Sequence, residues 1–332
     1  MITIDRMPHQ SSRSPVKTGL RIVSWTGFIV VVLLLFLGAY LFIPVIPDPA
    51  SGFLSRKGVV QRVEVTREWR TATSELSEIT LTSSSGLQAQ LSVNRPRKDN
   101  SRRPLVILMG GYGTGRHAAE LIRNTHDTVI AAISYPYHGP EAKDDISFLR
   151  NVGAIRQAVV DTPPVVLLVL DYLARQDYVD PTRIELAGVS FGAFLASIPG
   201  ALDTRFRRVW LIHGSGDPVD VFDHMTKDKI KFGPLRWVMT RSFALLIQAP
   251  YLKPERWVGR ISPRPVMVVH ARNDPSFPQE SLASLHRSLR QPYQVIWLGQ
   301  EHIGVRSQDL IQQIADLIVK YISQQQPASE GR

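Results

Sequence analysis

The 332-residue chain contains no cysteine, which excludes disulfides and thiolate metal sites. It has no Gly-Lys-Ser/Thr, and its one glycine-dense loop, Gly110 to Gly115, has the wrong spacing for Gly-x-Gly-x-x-Gly, so nucleotide cradles are excluded. No Asn-x-Ser/Thr sequon occurs, in keeping with a bacterial exported protein. Acidic residues are scarce beside basic ones, 29 against 39, for a net charge of +10. That excess forms no patch. Residues 1–57 carry +4 of it, and no basic run is interleaved with aromatics, which argues against nucleic-acid binding and leaves a mild attraction to anionic lipid or cell-surface polymer. With 44% hydrophobic and 20% charged residues, the chain has the balance of a globular protein.

Charge is missing altogether between Ile22 and Pro47. A helix needs about 20 apolar residues to cross a bilayer, so residues 22–47 are expected to form a transmembrane anchor with Trp25 and Tyr40 at its interfaces. The stretch is too long for the apolar region of a signal peptide, and Asp48-Pro49-Ala50 is a poor cleavage site. Arg6, Arg13, Lys17 and Arg21 in the short tail 1–21 favour a cytoplasmic N-terminus and an extracytoplasmic main domain, periplasmic in a bacterium. The prolines from Pro44 to Pro49 predict a stiff linker, assigned to 48–58.

The main domain is expected over 59–324, ahead of a polar tail, 325–332. Val59 to Val65 and Glu78 to Val93 alternate with period two, the second stretch divided by the turn Ser83-Ser84-Ser85-Gly86. Pro104 to Met109 is a continuous apolar run suited to a doubly covered strand, followed by helix-like Ala118 to Arg123 and a strand over Thr128 to Ser134. One helix is predicted over Ile146 to Val160 and a second beginning at Thr162-Pro163-Pro164. Further strands are expected at Arg183–Ala187, Arg208–His213, Pro265–His270 and Tyr293–Leu298. Helices are expected at Ala193–Ser197 and Pro278–Leu289, with a last one carrying Leu310, Ile314, Leu317 and Tyr321 on one face. Residues 218–260 break this rhythm and are read as a cap insertion over the site. Strands alternating with helices predict an α/β fold with a mostly parallel central sheet covered on both faces.

Gly188-Val189-Ser190-Phe191-Gly192 lies between a predicted strand and a predicted helix. A serine on such a turn is a nucleophile elbow, where small neighbours permit the sharp backbone reversal. A serine hydroxyl needs a base, and the base needs an orienting group. His302 follows the last predicted strand. Asp274 follows the strand before it, and Asp217 is the rival carboxylate. His138 and His213 also sit near strand ends. Two donors are needed for a developing oxyanion: the N–H of Phe191 at the helix start, and an N–H of Gly111 or Tyr112 in the loop after the Leu105–Met109 strand.

From about Pro104 to Ile322 the chain resembles the α/β-hydrolase superfamily. The run from Asp171-Tyr172-Leu173 through Val179-Asp180-Pro181-Thr182-Arg183-Ile184 to the elbow is similar to the dienelactone-hydrolase, acetyl-esterase and prolyl-oligopeptidase branch, as is Ile261-Ser262-Pro263-Arg264-Pro265. The resemblance implies a Ser190–Asp274–His302 triad in that chain order, with Asp274 preferred over Asp217 because of where the branch carries its acid. It implies a serine hydrolase of carboxylesterase type needing no metal or organic cofactor and acting on a small-molecule ester. Peptidase or acyltransferase chemistry on the same triad, or a catalytically silent binding module, are the alternatives. The elbow reads Gly-Ala where the branch often has Gly-Gly. The His-Gly-Gly-Gly of hormone-sensitive lipases is missing, and so is an N-terminal propeller.

Overall fold

The computed structural model describes residues 25–36, 49–97, 101–141 and 150–324. The basic tail, the flanks of the apolar stretch, the start of the Ile146–Val160 helix and the polar tail lie outside the described residues. The chain divides into two compact units, Met1–Val45 and Ile46–Arg332. In the first, Trp25–Phe36 is an apolar helix whose side chains are largely exposed. Among the described residues, one helix is long and apolar enough to cross a membrane, Val152–Leu173, and it is a mostly buried core helix of the second unit.

The second unit is built on nine strands: β1 Val60–Arg70, β2 Ser74–Ser83, β3 Gln88–Pro96, β4 Arg103–Met109, β5 Val129–Ile133, β6 Val179–Val189, β7 Phe206–Ile212, β8 Val266–His270 and β9 Tyr293–Trp297. Their spatial order is β1-β2-β3-β5-β4-β6-β7-β8-β9. β1, β2, β3 and β5 pair antiparallel in that succession, and β5, β4, β6, β7, β8 and β9 run parallel. Every residue of β4, β5 and β8 is buried, as apolar runs such as Pro104–Met109, Val129–Ile133 and Val266–Val269 require.

Period two sorts the central strands onto two cores. Leu105, Ile107, Leu186, Val209 and Val268 pack with the helices Val152–Leu173 and Phe191–Leu202. Val106, Leu108, Trp210, Ile212 and Val269 face Ile314, Ile318 and Ile322 of the C-terminal helix Gln308–Ser323. β4 lies between β5 and β6, so the chain departs to one side of β4 and returns on the other. Ligands bind at such a switch point, outside the carboxyl ends of the strands. The loops after β4 and β6 carry Gly111 and Ser190.

Three expectations change. Residues 49–57 are a helix, not a linker: Phe53 is buried against Trp257, Arg56 forks onto Asp161 at 2.8 Å, and Lys57 reaches Asp171. Proline at Pro49 opens this helix, where a missing N–H costs nothing. The Pro163-Pro164 pair lies inside one continuous helix. An internal proline costs about 3 kcal/mol, but Val165 to Leu170 are all buried here, each contributing roughly 1.5–3 kcal/mol. The helix after β4 is only the 3-10 turn Gly115–Ala119. The insertion forms helices Pro218–Thr226, Gly233–Leu246, Ala249–Leu252 and Pro254–Trp257, which pack against Val152 and Ile155 and, through Val221, against Phe277. It does not line the cavity beside Ser190, but Phe277, on which it packs, stands 5.3 Å from the ring of His302.

Candidate active site

β6 ends in a reversal that only small residues allow. Ser190 has φ 54° and ψ −113°, a sparsely populated conformation of the kind stored at functional sites. A Cβ on Gly188 would lie 2.4 Å from the Gly192 carbonyl oxygen, and one on Gly192 would lie 2.2 Å from that of Met109. The turn is pinned by the Ser190 N–H donating to Ile212 O (2.9 Å) and the Ala193 N–H donating to Ser190 O (3.0 Å).

Ser190 Oγ lies 2.7 Å from His302 Nε2, and His302 Nδ1 lies 2.6 Å from Asp274 Oδ2. Three side chains separated by 28 and 112 residues in sequence thus form one hydrogen-bonded chain. The second oxygen of Asp274 accepts the Ser276 N–H at 2.9 Å. Burial pushes the Asp274 carboxyl up, but bonds from His302 and Ser276 hold it below the ordinary aspartate value. The acid and histidine loops are joined by backbone bonds, Arg272 N–H to Gly299 O (3.1 Å) and Asn273 N–H to Gln300 O (2.7 Å). The rival Asp217 is engaged elsewhere: it caps the helix Pro218–Thr226 through the Val219 N–H (3.0 Å) and pairs with Lys253 at 2.5 Å. His138 is exposed in the loop after β5.

The two candidate oxyanion loops also meet. Phe191 opens the helix, so its N–H has no intrahelical partner. Gly111 lies against Ser190, a Cβ there falling 3.7 Å from Ser190 Cβ, and the Tyr112 ring stacks edge-on with Phe191 at 6.2 Å. Thr114 fixes this loop by donating both its hydroxyl (2.7 Å) and its N–H (3.2 Å) to Gly111 O, while Tyr135 donates to Gly110 O. Burial pushes the Tyr135 phenol up, so it stays a neutral donor.

Sequence reasoning left His213 as one more histidine near a strand end. It is fully buried at φ 47°, its Nε2 donates to Leu298 O (3.2 Å) and its Nδ1 accepts from the Ile303 N–H (3.0 Å). Burial lowers its pKa, keeping the ring neutral, as this donor-acceptor pattern needs. Ligand atoms of His213, Asp274 and His302 lie within 4.8 Å of one another, a spacing a metal ion can use. The ring nitrogens of both histidines are already spent on the bonds above, which leaves neither a free lone pair to offer a metal.

The profile of the prolyl oligopeptidase family matches residues 160–325, half of the chain. The chain belongs to the prolyl oligopeptidase family. No curated protein matches it in sequence. Among solved structures, acetyl xylan esterase 1 from Thermoanaerobacterium sp. JW/SL YS485 is 16% identical, with a TM-score of 0.58 over 83% of this chain and 92% of its own. The acetyl xylan esterase from Paenibacillus sp. R4 is 14% identical at a TM-score of 0.60, with the same coverage. A cold-adapted esterase from an Arctic intertidal metagenomic library is 15% identical at 0.53, over 77% and 97%. At these identities the likeness is one of fold, and the fold of this prolyl oligopeptidase family member is that of the α/β-hydrolases. It is a hydrolase of the esterase or peptidase kind.

Proposed function

We propose that the protein is a membrane-anchored serine hydrolase that cleaves carboxylic esters through Ser190, His302 and Asp274. The observation that carries this reading is the hydrogen-bonded chain of 2.7 and 2.6 Å starting at a strained elbow serine. Ser190 Oγ attacks the acyl carbon as its proton passes to His302 Nε2. Asp274 holds the imidazole tautomer and stabilises its cation. The N–H groups of Phe191 and of Gly111 or Tyr112 receive the oxyanion. The acyl–alkoxy bond then breaks, and the alcohol leaves with the proton from Nε2. Water repeats the sequence on the acyl-enzyme and releases the acid. No metal or organic cofactor enters these steps.

Esters rank first because the structural neighbours include three esterases. The family match supports amide cleavage as the second reading. A panel of activated esters, thioesters and peptide amides assayed with the full chain separates the two. Ester turnover with no amide turnover is expected, and amide turnover alone overturns the preference.

The anchor reading rests on the uncharged run Ile22–Pro47 and the exposed apolar side chains of Trp25–Phe36. It puts the N-terminus in the cytoplasm and the catalytic domain outside. Deleting residues 1–45 is expected to move activity from the membrane to the soluble fraction. The deletion stops there because Phe53, Arg56 and Lys57 belong to the domain. Full-length protein recovered in the soluble fraction overturns the anchor.

A further inference from the structure

A cavity of about 310 Å³ opens beside Ser190 and His302. It runs away from the reacting atoms, between the sheet and the C-terminal helix. Leu108 and Ile212 form its floor, Ile311, Ile314 and Ile318 one wall, and Ile122 the other. The floor and walls belong to the second core, yet Leu108, Ile314 and Ile318 keep 7%, 5% and 6% exposure, whereas Leu105, Ile107 and Leu186 on the opposite face have none. Leu108, Ile314 and Ile318 border the cavity.

This space is a consequence of the sequence. The connection after β4 is a short 3-10 turn with Ala118 and Ala119 buried, and these small side chains leave space beside the C-terminal helix. The lining holds no charged residue, and its side-chain polar groups are confined to Tyr112, which is exposed at the mouth, Thr114, Ser190 and His302. Thr114 is spent on Gly111 O. Beyond the mouth no side chain can hydrogen-bond a sugar hydroxyl or pair with a charge, and a buried polar group left unpaired is penalised. An apolar cavity of about 150 Å³ stays dry and admits a benzene ring. This one is about twice that size, far more than an acetyl group fills.

We propose that this cavity receives a neutral aliphatic chain of about six to ten carbons carried by the ester substrate. The proposal rests on the serine-hydrolase reading of Ser190 and names the substrate class of that site. Each methylene transferred from water into the cavity strengthens binding about fourfold. The specificity constant therefore rises with chain length until the cavity is full.

The test measures kcat/KM of the full chain in detergent for two ester series: p-nitrophenyl esters from acetate to dodecanoate, and acetates of alcohols from ethanol to dodecanol. A rise of about tenfold or more from two to eight carbons, followed by a fall, is expected in one series, and which series responds tells whether the acyl or the alcohol part occupies the cavity. Ile318 lies seven residues beyond Ile311, about 10 Å along the helix, so Ile318→Trp closes the far end. The octyl-to-butyl ratio should then drop at least tenfold. Ala118→Leu narrows the opposite wall and does the same if the tryptophan variant fails to fold.

Labelling separates this proposal from the reading beneath it. Octyl fluorophosphonate should modify the protein faster than ethyl fluorophosphonate. Equal labelling with flat series, or a ratio that neither variant moves, overturns the aliphatic chain and leaves the hydrolase standing. A folded protein that neither probe labels and that cleaves no ester overturns both.

Discussion

His213 clamps the loop that carries His302. Its ring donates to Leu298 O and accepts from the Ile303 N–H, one bond on each side of residue 302, and the two imidazoles stand 5.9 Å apart between centroids. The base of the proposed triad is therefore positioned twice, by Asp274 at its own ring and by His213 through the backbone.

Removing that clamp should slow chemistry more than it unfolds the protein. His213→Ala is expected to lower kcat by about ten- to a hundredfold, as lost positioning typically does, with KM little changed. His213→Asn should recover part of the loss, because asparagine tolerates positive φ and offers a donor. Steady-state kinetics beside thermal melts reads both. A fall in melting temperature without a fall in kcat per folded molecule would reduce His213 to a packing residue.

Asp274 and Asp217 give opposite predictions. Asp274→Asn should cut kcat by up to about four orders of magnitude, since the amide favours the wrong imidazole tautomer. Asp217→Asn loses the full charge of a helix cap and its pairing with Lys253, so its cost appears as about 1 kcal/mol of stability. Ester turnover and urea unfolding of the two variants decide it. Equal activity losses would contradict the assignment.

The elbow glycines are steric requirements. Gly192→Ala drives a Cβ to 2.2 Å from Met109 O, and the backbone of β4 has to move. Overpacking of this kind costs about 1–3 kcal/mol or more, together with displacement of the loop bearing Gly111. Gly52 is the contrast. It lies in the helix Pro49–Lys57 with nothing near its Cβ position, so Gly52→Ala should stabilise by about 0.4–1 kcal/mol. Differential scanning of the pair measures opposite shifts, and shifts of the same sign would be inconsistent with the packing described.

Acid should weaken the fold through histidines before carboxylates. His270 is buried against His286 at 2.9 Å between Nε2 atoms, also faces His213 and Asp274, and its pKa falls from 6.5 to about 4, chiefly by desolvation. His213 and His286 are lowered too. A depressed folded-state pKa contributes stability above the unfolded value and loses it as pH drops through the folded one. Stability should therefore decline between about pH 6.5 and 4, by roughly 3 kcal/mol for His270. Depression of Asp274 extends the loss to lower pH. Urea midpoints across this range should fall, and His270→Gln should flatten the slope. A flat wild-type profile would contradict the burial argument.

Much of this was legible in the sequence. An unbroken apolar run marked β4, the alternation of strands with helices marked β7 and β8, and the strand–serine–helix context marked the elbow, because each depends on neighbours close in sequence. The long-range consequences were not legible. Pro163-Pro164 read as a helix start because local sequence cannot register the burial that keeps the helix continuous. Pro44 to Pro49 read as a linker because nothing nearby announces that Phe53 meets Trp257 some two hundred residues later. His213 carried no local signal: its partners are backbone atoms of a loop that reaches it only through the pairing of β7, β8 and β9. The cavity beside Ser190 is a property of what does not fill the space between two elements, and no single stretch encodes it.

The central claim, that Ser190 is a nucleophile activated by His302, is tested most directly by covalent labelling. The full chain is treated with a fluorophosphonate, and the site of the adduct is read by peptide mass spectrometry. The account predicts a single stoichiometric adduct on the peptide carrying Ser190, absent in Ser190→Ala and strongly suppressed in His302→Ala, both variants retaining the wild-type circular dichroism. A folded wild-type protein that takes up no label, or a label that persists in Ser190→Ala, contradicts it.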